Sequence, residues 1–418
     1  MKLLIILKAN FPYPLQTGGQ QAVYHMIDYL RNKIDVLILY DKQIVSDSDE
    51  DALKRQWNNV KFFSFKKSYI KQIHFDLSYL CWIIYKILIK IFKGNKLVWK
   101  NRVLNGGIDE QVYSLDFLNF ISNVIETEKV DIVQTEFYNA LNLGYFLPKH
   151  IKKVYVQHEI RYIRNYLFMD NQDKENINNL DLYKTNKLKY EEIMAMNQYD
   201  VIVTLTETDK YKLLADGVNV PVEASPACIS PKNIVKEYIS ANNKLSFLGS
   251  SKHTANANGL IWFLNEVWSI IMKQNNKIEL SIIGDWSYKE AIKLQKKYPN
   301  IKFLGFVENL SEVLSGTIMI IPIKEGSGMR MKILDAINNG CTFVTTSVGV
   351  EGLDFVDGKD CLIADNAEKF AENILTLNAD NTLQKHLFHH SKETYDKKYS
   401  VDVSVEKRLE IYKSLMGK

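Results

Sequence analysis

The sequence predicts an α/β protein of two parallel-sheet domains that face each other across a cleft. Three observations carry that expectation. β-Branched apolar runs alternate with amphipathic helical stretches along most of the 418 residues. The alternation lapses once, over 219–243, where Pro221, Pro226 and Pro231 fall close together, and then restarts. The length suits two domains, each able to bury its own core. Ligands of open parallel sheets bind beyond the carboxyl ends of the strands, so two facing sheets put the site between them.

In the first domain, residues 1–220, KLLIILK (2–8) is an apolar run of strand length. Thr17-Gly18-Gly19 follows as a glycine loop, and then a helix with Val23, Met26, Ile27 and Leu30 on one face. IDVLILY (34–40) is the second strand. Beyond a basic segment come a helix over about 115–127, strand DIVQT (131–135), a short helix and strand KVYVQ (153–157). A long polar helix near 180–197 precedes strand DVIVTLT (200–206), and Thr206 with Asp209 forms a capping-box-like start for the next helix. Residues 221–243 read as the linker. The second domain, 244–399, runs through strand KLSFLG (244–249), a helix over Asn256–Met272, and strand IELSIIG (278–284). Strands IKFLGF (301–306), TIMIIPI (317–323) and CTFVTT (341–346) follow, then helices to residue 418.

Composition narrows the function. The apolar fraction of 46% and charged fraction of 24% are those of an ordinary globular protein, and a net charge of +4 gives no support to nucleic-acid binding. Cys81, Cys228, Cys341 and Cys361 lie far apart, which suggests buried thiols in a reducing cytosol and neither disulfides nor a zinc site. The opening MKLLIILKANFPYP is too short in its apolar part for a signal peptide and reads as a core strand. Residues 66–102 are lysine-rich, with YLCWIIYKILIKIFKG (79–94) inside them. Its lysines exclude a membrane span and leave two readings: a helix lying in the headgroup plane, or a buried helix whose lysines reach water.

The stretch EGSGMRMKILDAINNG (325–340) places a glycine loop between a buried strand and a helix, the arrangement that offers free backbone N–H groups to an anion. A helix beginning near Ser327 would put Ser327, Met331 and Asp335 on one face, spanning about 12 Å. That is the scale of a nucleoside diphosphate, with the amides of Gly328, Met329 and Arg330 at the phosphates and Asp335 at a ribose. Arg330 and Lys332 add positive charge. The same pattern is also that of a helix whose polar residues face solvent.

PIKEGSGMRMKILDAINNGCTFVTTSVGVEGL (322–353) resembles the nucleotide-sugar-binding segment of family 4 glycosyltransferases, which have the GT-B fold of two Rossmann-like domains and retain anomeric configuration. One branch of that family carries Gly-x-Gly-x-Arg-x-Lys-x-Leu-Glu-Ala followed by Gly-x-Glu-Gly-Leu. Here GSGMRMKILDA is followed by Gly349-Val350-Glu351-Gly352-Leu353. The family's first Glu position falls on Ser327 and its second on Asp335. FLGSSKHTANANGLIWFLNEVW, LSIIGD and FLGFVENLSEVL extend the resemblance over the second domain.

The resemblance implies several site residues. Gly18 and Gly19 would let backbone approach the donor phosphate and acceptor, and Gly305-Phe306-Val307 would lie against the base. His158, at the end of a strand in VQHEIRY, takes the place of a site histidine. Glu351 either caps its turn or contacts the sugar. Arg330 and Lys332 replace the family's usual Arg/Lys pair, no metal or other cofactor is called for, and the final helix within 400–418 packs back on the first domain. The activity implied is transfer of a sugar, with retention, from a nucleotide-diphosphate sugar to an acceptor hydroxyl. The acceptor would be a glycan or lipid-linked saccharide of bacterial surface polysaccharide, handled in the cytoplasm or at the inner face of the membrane. The rival readings are a nucleotide-sugar epimerase and a non-catalytic scaffold of the same fold.

Overall fold

The computed structural model describes residues 1–66, 113–170, 179–230 and 238–417. Most of the lysine-rich segment 66–102 lies outside them, and so does Cys81.

Two all-parallel sheets form the frame. The first has the order β3-β2-β1-β4-β5-β6-β7, from β1 (Lys2–Leu7), β2 (Asp35–Asp41), β3 (Lys61–Phe65), β4 (Ile132–Glu136), β5 (Lys152–Gln157), β6 (Val201–Thr204) and β7 (Val222–Ala224). The second has the order β10-β9-β8-β11-β12-β13, from β8 (Lys244–Leu248), β9 (Glu279–Ile283), β10 (Ile301–Gly305), β11 (Ile318–Ile321), β12 (Thr342–Thr345) and β13 (Leu362–Ile363). Strand β1 is fully buried from Leu3 to Leu7, as a strand covered on both faces must be. Strand order reverses between β1 and β4 and again between β8 and β11. Such reversals open the crevices in which parallel sheets bind ligands.

Local chemistry explains where the helices begin. Helix α1 (Gly18–Leu30) starts at Gly18 because the Thr17 hydroxyl accepts the Gln20 N–H at 3.2 Å. Gly18 and Gly19, expected as a loop, are therefore its first turn. Helix α2 (Arg161–Asp170) follows β5. Helix α3 (Glu207–Asp216) is capped by Thr206, which accepts from the Asp209 N–H. After β8 a helical stretch runs Thr254–Trp262, a π turn Phe263–Val267 and Trp268–Gln274; it is called α4 as a whole. Helix α5 (Met331–Asn338) follows β11 and α6 (Val401–Leu415) closes the described chain.

The Pro-rich stretch is less linker than its composition suggests. Val222 and Ala224 are buried, and Val222–Ala224 pairs with β6 as an edge strand of the first sheet. Pro221 sits just outside it, and its missing N–H costs no ladder bond there.

Helix α6 lies on α1. Val405, Leu409 and Tyr412 are buried there, Ser225 Oγ donates to the Ser404 carbonyl, and Tyr29 donates to Glu406 at 2.9 Å. Burying an apolar side chain of this size contributes on the order of 1.5–3 kcal/mol. One apolar core runs from Met26 and Leu409 to Met331 and Ile333, so the two domains share it. Cys228, Cys341 and Cys361 are buried free thiols, and burial pushes Cys228 and Cys341 up to about 12. No helix among the described residues is long and apolar enough to cross a membrane.

Candidate active site

The two topological reversals face each other. From the first sheet come the start of α1 after β1, Glu136 and Phe137 after β4, and His158 after β5. From the second come Gly249 after β8, the loop 322–330 after β11, and the start of α5. Gly18 meets α5 closely: a Cβ built on it would lie 3.1 Å from Met331 Cγ. The positive ends of α1 and α5 thus converge, and both helices leave unsatisfied N–H groups there. The α4 end joins them through Asn256, whose Oδ1 accepts from Lys332 Nζ at 2.7 Å.

The glycine loop departs from the expected helix start. Helix α5 begins at Met331, with Arg330 as its N-cap residue. The reason is backbone conformation: Gly326 and Gly328 have φ of +112° and +82°, which a right-handed helix does not admit. Ser327, Met331 and Asp335 consequently do not share one helical face, and the amides of Gly328, Met329 and Arg330 belong to the loop. Ser327 is not a helix cap. Its hydroxyl crosses to the first domain and donates to the Ile160 carbonyl at 3.0 Å. Gly328 crosses with it, since a Cβ there would lie 2.2 Å from the His158 carbonyl oxygen. Met329 is buried beside them.

Arg330 folds over this loop. Its Nη1 donates to the Ser327 and Gly328 carbonyls at 2.7 and 2.8 Å, while Nε and Nη2 are sealed from solvent without a partner. Burial holds its pKa below the usual value, and Glu159, Glu351 and Asp209 oppose that effect. A guanidinium with two buried, unpartnered nitrogens at the start of α5 is an unbalanced charge that an anion at this helix end would offset. Lys332 is pushed down to about 7, first by burial and then by Arg330's charge. Asp335 is pushed up to about 7 by burial, and its hydrogen bond to Gln21 of α1 works against that. The carboxylate expected at a ribose is thus 6% exposed and engaged with α1.

Glu351 accepts from Lys212 Nζ of α3 at 2.7 Å, a bridge between the domains. Gly305 adopts φ of +70° at the end of β10, and the Phe306 side chain after it is 60% exposed. Val307 packs partly into the core. The carbonyls and amides of Gly249, Ile283, Gly284 and Gly305 link these strand ends: Gly249 N–H donates to Ile283 and Gly284 N–H to Gly305, each at 2.8 Å.

Three groups were not anticipated. Glu136 ends β4 and meets His158 Nε2 at 2.6 Å. Phe137 stacks on the His158 ring at a centroid distance of 4.0 Å and presses on α1, where a Cβ on Gly19 would lie 3.0 Å from its ring. Glu325 is buried, accepts from Asn258 Nδ2 at 2.8 Å, and has its pKa raised by burial. An acidic residue at the end of a strand (DIVQTE) was the available signal for Glu136. For Glu325 it was adjacency to the glycine loop. No group of three His, Cys, Asp or Glu residues gathers as a metal site among the described residues.

Comparison with known proteins adds family context to this geometry. Residues 242–380 match the model of glycosyl transferases, group 1. An uncharacterized 44.6 kDa protein in the cps region of Klebsiella pneumoniae is 22% identical over 436 residues, covering 95% of this chain and 97% of that protein. Sucrose-phosphate synthase from Thermosynechococcus elongatus superposes with a TM-score of 0.69 at 12% identity, over 100% of this chain and 99% of its own. TarM from S. aureus, crystallised with UDP and alpha-GlcNAc-glycerol, gives a TM-score of 0.65 at 14% identity, over 98% and 99%. Anabaena HepE, crystallised with UDP-glucose, gives 0.62 at 12% identity, over 99% and 100%. The two facing parallel sheets are the GT-B arrangement of these structures.

Proposed function

We infer, from a GT-B frame whose donor-side half matches a glycosyl transferase model, that this chain transfers a sugar from a nucleoside-diphosphate sugar to an acceptor hydroxyl, with retention. The observation that carries the reading is Arg330, largely buried with two unpartnered nitrogens where helix N-termini converge. In the proposed donor complex the diphosphate occupies that convergence, the base lies along Gly305, Phe306 and Val307, and the sugar points toward His158 and Glu325. Arg330, Lys332 and the helix amides then stabilise the charge that grows on the leaving diphosphate. Such cations make a metal unnecessary. Incubation with a panel of nucleotide sugars, beginning with UDP-sugars as found in HepE, is expected to release nucleotide diphosphate slowly even without acceptor and in excess EDTA. Loss of release in EDTA with recovery in magnesium would overturn the metal-free assignment, and no release from any donor would favour a scaffold role.

The titration of Lys332 gives a second expected result. Without ligand its pKa is about 7, and an adjacent diphosphate favours the ammonium, so the bound-state value is higher. Below pH 7 the lysine is already charged and binding is flat. Above pH 7 binding must take up a proton, and UDP affinity should fall by up to about tenfold per pH unit. Lys332→Arg, which stays protonated, should flatten that limb. Calorimetric titrations between pH 6.5 and 9 decide it, and an equal slope in both proteins removes Lys332 from the diphosphate.

The cps-region relative favours a surface-polysaccharide acceptor, glycan or lipid-linked, reached at the cytoplasmic face of the membrane. The motivating sequence is the lysine-rich 66–102 segment. Sedimentation with anionic liposomes at low salt is expected, weakening as salt rises. Binding unchanged by Lys86→Glu, Lys90→Glu and Lys93→Glu together would remove the membrane contact.

A further inference from the structure

A hydrogen-bonded chain of side chains runs from helix α6 to the cleft. The Tyr412 hydroxyl donates to Gln134 Oε1, Gln134 Nε2 donates to Glu136 Oε1 at 2.5 Å, and Glu136 Oε2 lies 2.6 Å from His158 Nε2. Gln134, Glu136 and Tyr412 are all buried. His158 is clamped at the far end, with Phe137 stacked on its ring. Its Nδ1 has no partner among the described residues and is not sealed in the core.

The chain has one consistent direction. A carboxylate only accepts, so Gln134 must turn its amide nitrogen to Glu136 and its oxygen to Tyr412, and Tyr412 must donate. The remaining Glu136 oxygen then calls for a proton from His158 Nε2. Arg408, also buried, lines the same small cavity as Glu136 and His158. We propose that Glu136, held by Gln134 and Tyr412, is a positioning residue that fixes His158 as the Nε2–H tautomer and so presents Nδ1 to the cleft as a hydrogen-bond acceptor. The substrate group it suits is a hydroxyl, of the donor sugar or of the acceptor, which donates to Nδ1. This role rests on the transferase reading, but the tautomer itself does not.

The test separates the two. Nitrogen-15 spectra of histidine-labelled, ligand-free protein, with His158 assigned by difference from His158→Asn, are expected to show a protonated Nε2 and an unprotonated Nδ1 near neutral pH. Glu136→Gln keeps the shape and can still accept from Gln134, but its amide now donates to Nε2. The ring should therefore switch to the Nδ1–H form, with kcat falling by about 10²-fold or more and donor KM changing little. Tyr412→Phe leaves the Glu136 carboxylate in place, so the Nε2–H tautomer should persist, and the looser support should cost about tenfold or less in kcat. A wild-type His158 protonated on Nδ1, or a Glu136→Gln protein with wild-type tautomer, overturns the proposal whether or not any sugar is transferred. The expected tautomer switch together with a protein inert toward every donor would leave the positioning intact and sink the transferase reading alone.

Discussion

Arg330→Ala is expected to lower kcat by about 10²–10³-fold, the cost typical of removing an electrostatic donor from a closed site, while donor KM moves much less. The expectation follows from where the guanidinium sits. Two of its contacts are spent on the Ser327 and Gly328 carbonyls, and its other two nitrogens have nothing to bond. A charge held in that state gains most when negative charge develops beside it, that is, on the leaving diphosphate in the transition state. Arg330 also clamps the loop, so alanine alone does not separate charge from shape. Arg330→Lys keeps the charge without the fork and should fall between the two. Asp335→Asn, which retains a partner for Gln21, should leave kcat near wild type. If folded Arg330→Ala kept wild-type kcat and KM, the diphosphate would have to bind elsewhere.

Gly328→Ala should lower kcat/KM by about 10²-fold or more by a different route. The new methyl would meet the His158 carbonyl oxygen at 2.2 Å and Glu159 Cα at 3.6 Å, both backbone atoms of the other domain. Backbone cannot rotate away as a side chain can. The left-handed φ of +82° adds about 1–2 kcal/mol of strain, a cost that a protein of this size absorbs. Each domain should therefore fold but fail to meet the other at this point, and because the two share one apolar core the melting temperature should fall as well. Small-angle scattering should show a larger radius of gyration. A variant with wild-type kcat/KM would mean that the Gly328 contact is not part of the working state.

The frame was legible because its signals are local. β1 and β11 are apolar runs buried along nearly their whole length, and the residue after a parallel strand stands at the cleft, which is how His158 after β5 could be singled out. The stretch GSGMRMKILDA put Arg330 and Lys332 near a helix start, and they stand at the N-cap and in the first turn of α5. The start of α5 itself was not legible. Ser-Gly-Met-Arg suits a capped helix by composition, and only the positive φ of Gly326 and Gly328, imposed by the docking of the loop on the first domain, delays the helix to Met331. Glu136 escaped notice because its partner, His158, lies one strand further on, and the pairing exists only once β4 and β5 are side by side. Asp335 misled for a related reason: its burial against Gln21 depends on α1 arriving from the other domain.

Helix α6 follows both sheets in the chain yet completes the packing of the first of them. Ribosomes release a chain from its N-terminus, and domains generally fold in that order. Here the apolar face of α1, and the cavity behind Glu136 and His158, are covered by Val405, Arg408 and Tyr412, which emerge only after both sheets have been synthesised. During translation the first domain therefore waits, with a greasy face uncovered, for the whole of the second to pass. Nascent chains of this protein should be clients for chaperones, and the first domain expressed by itself should be poorly soluble although its sheet is complete.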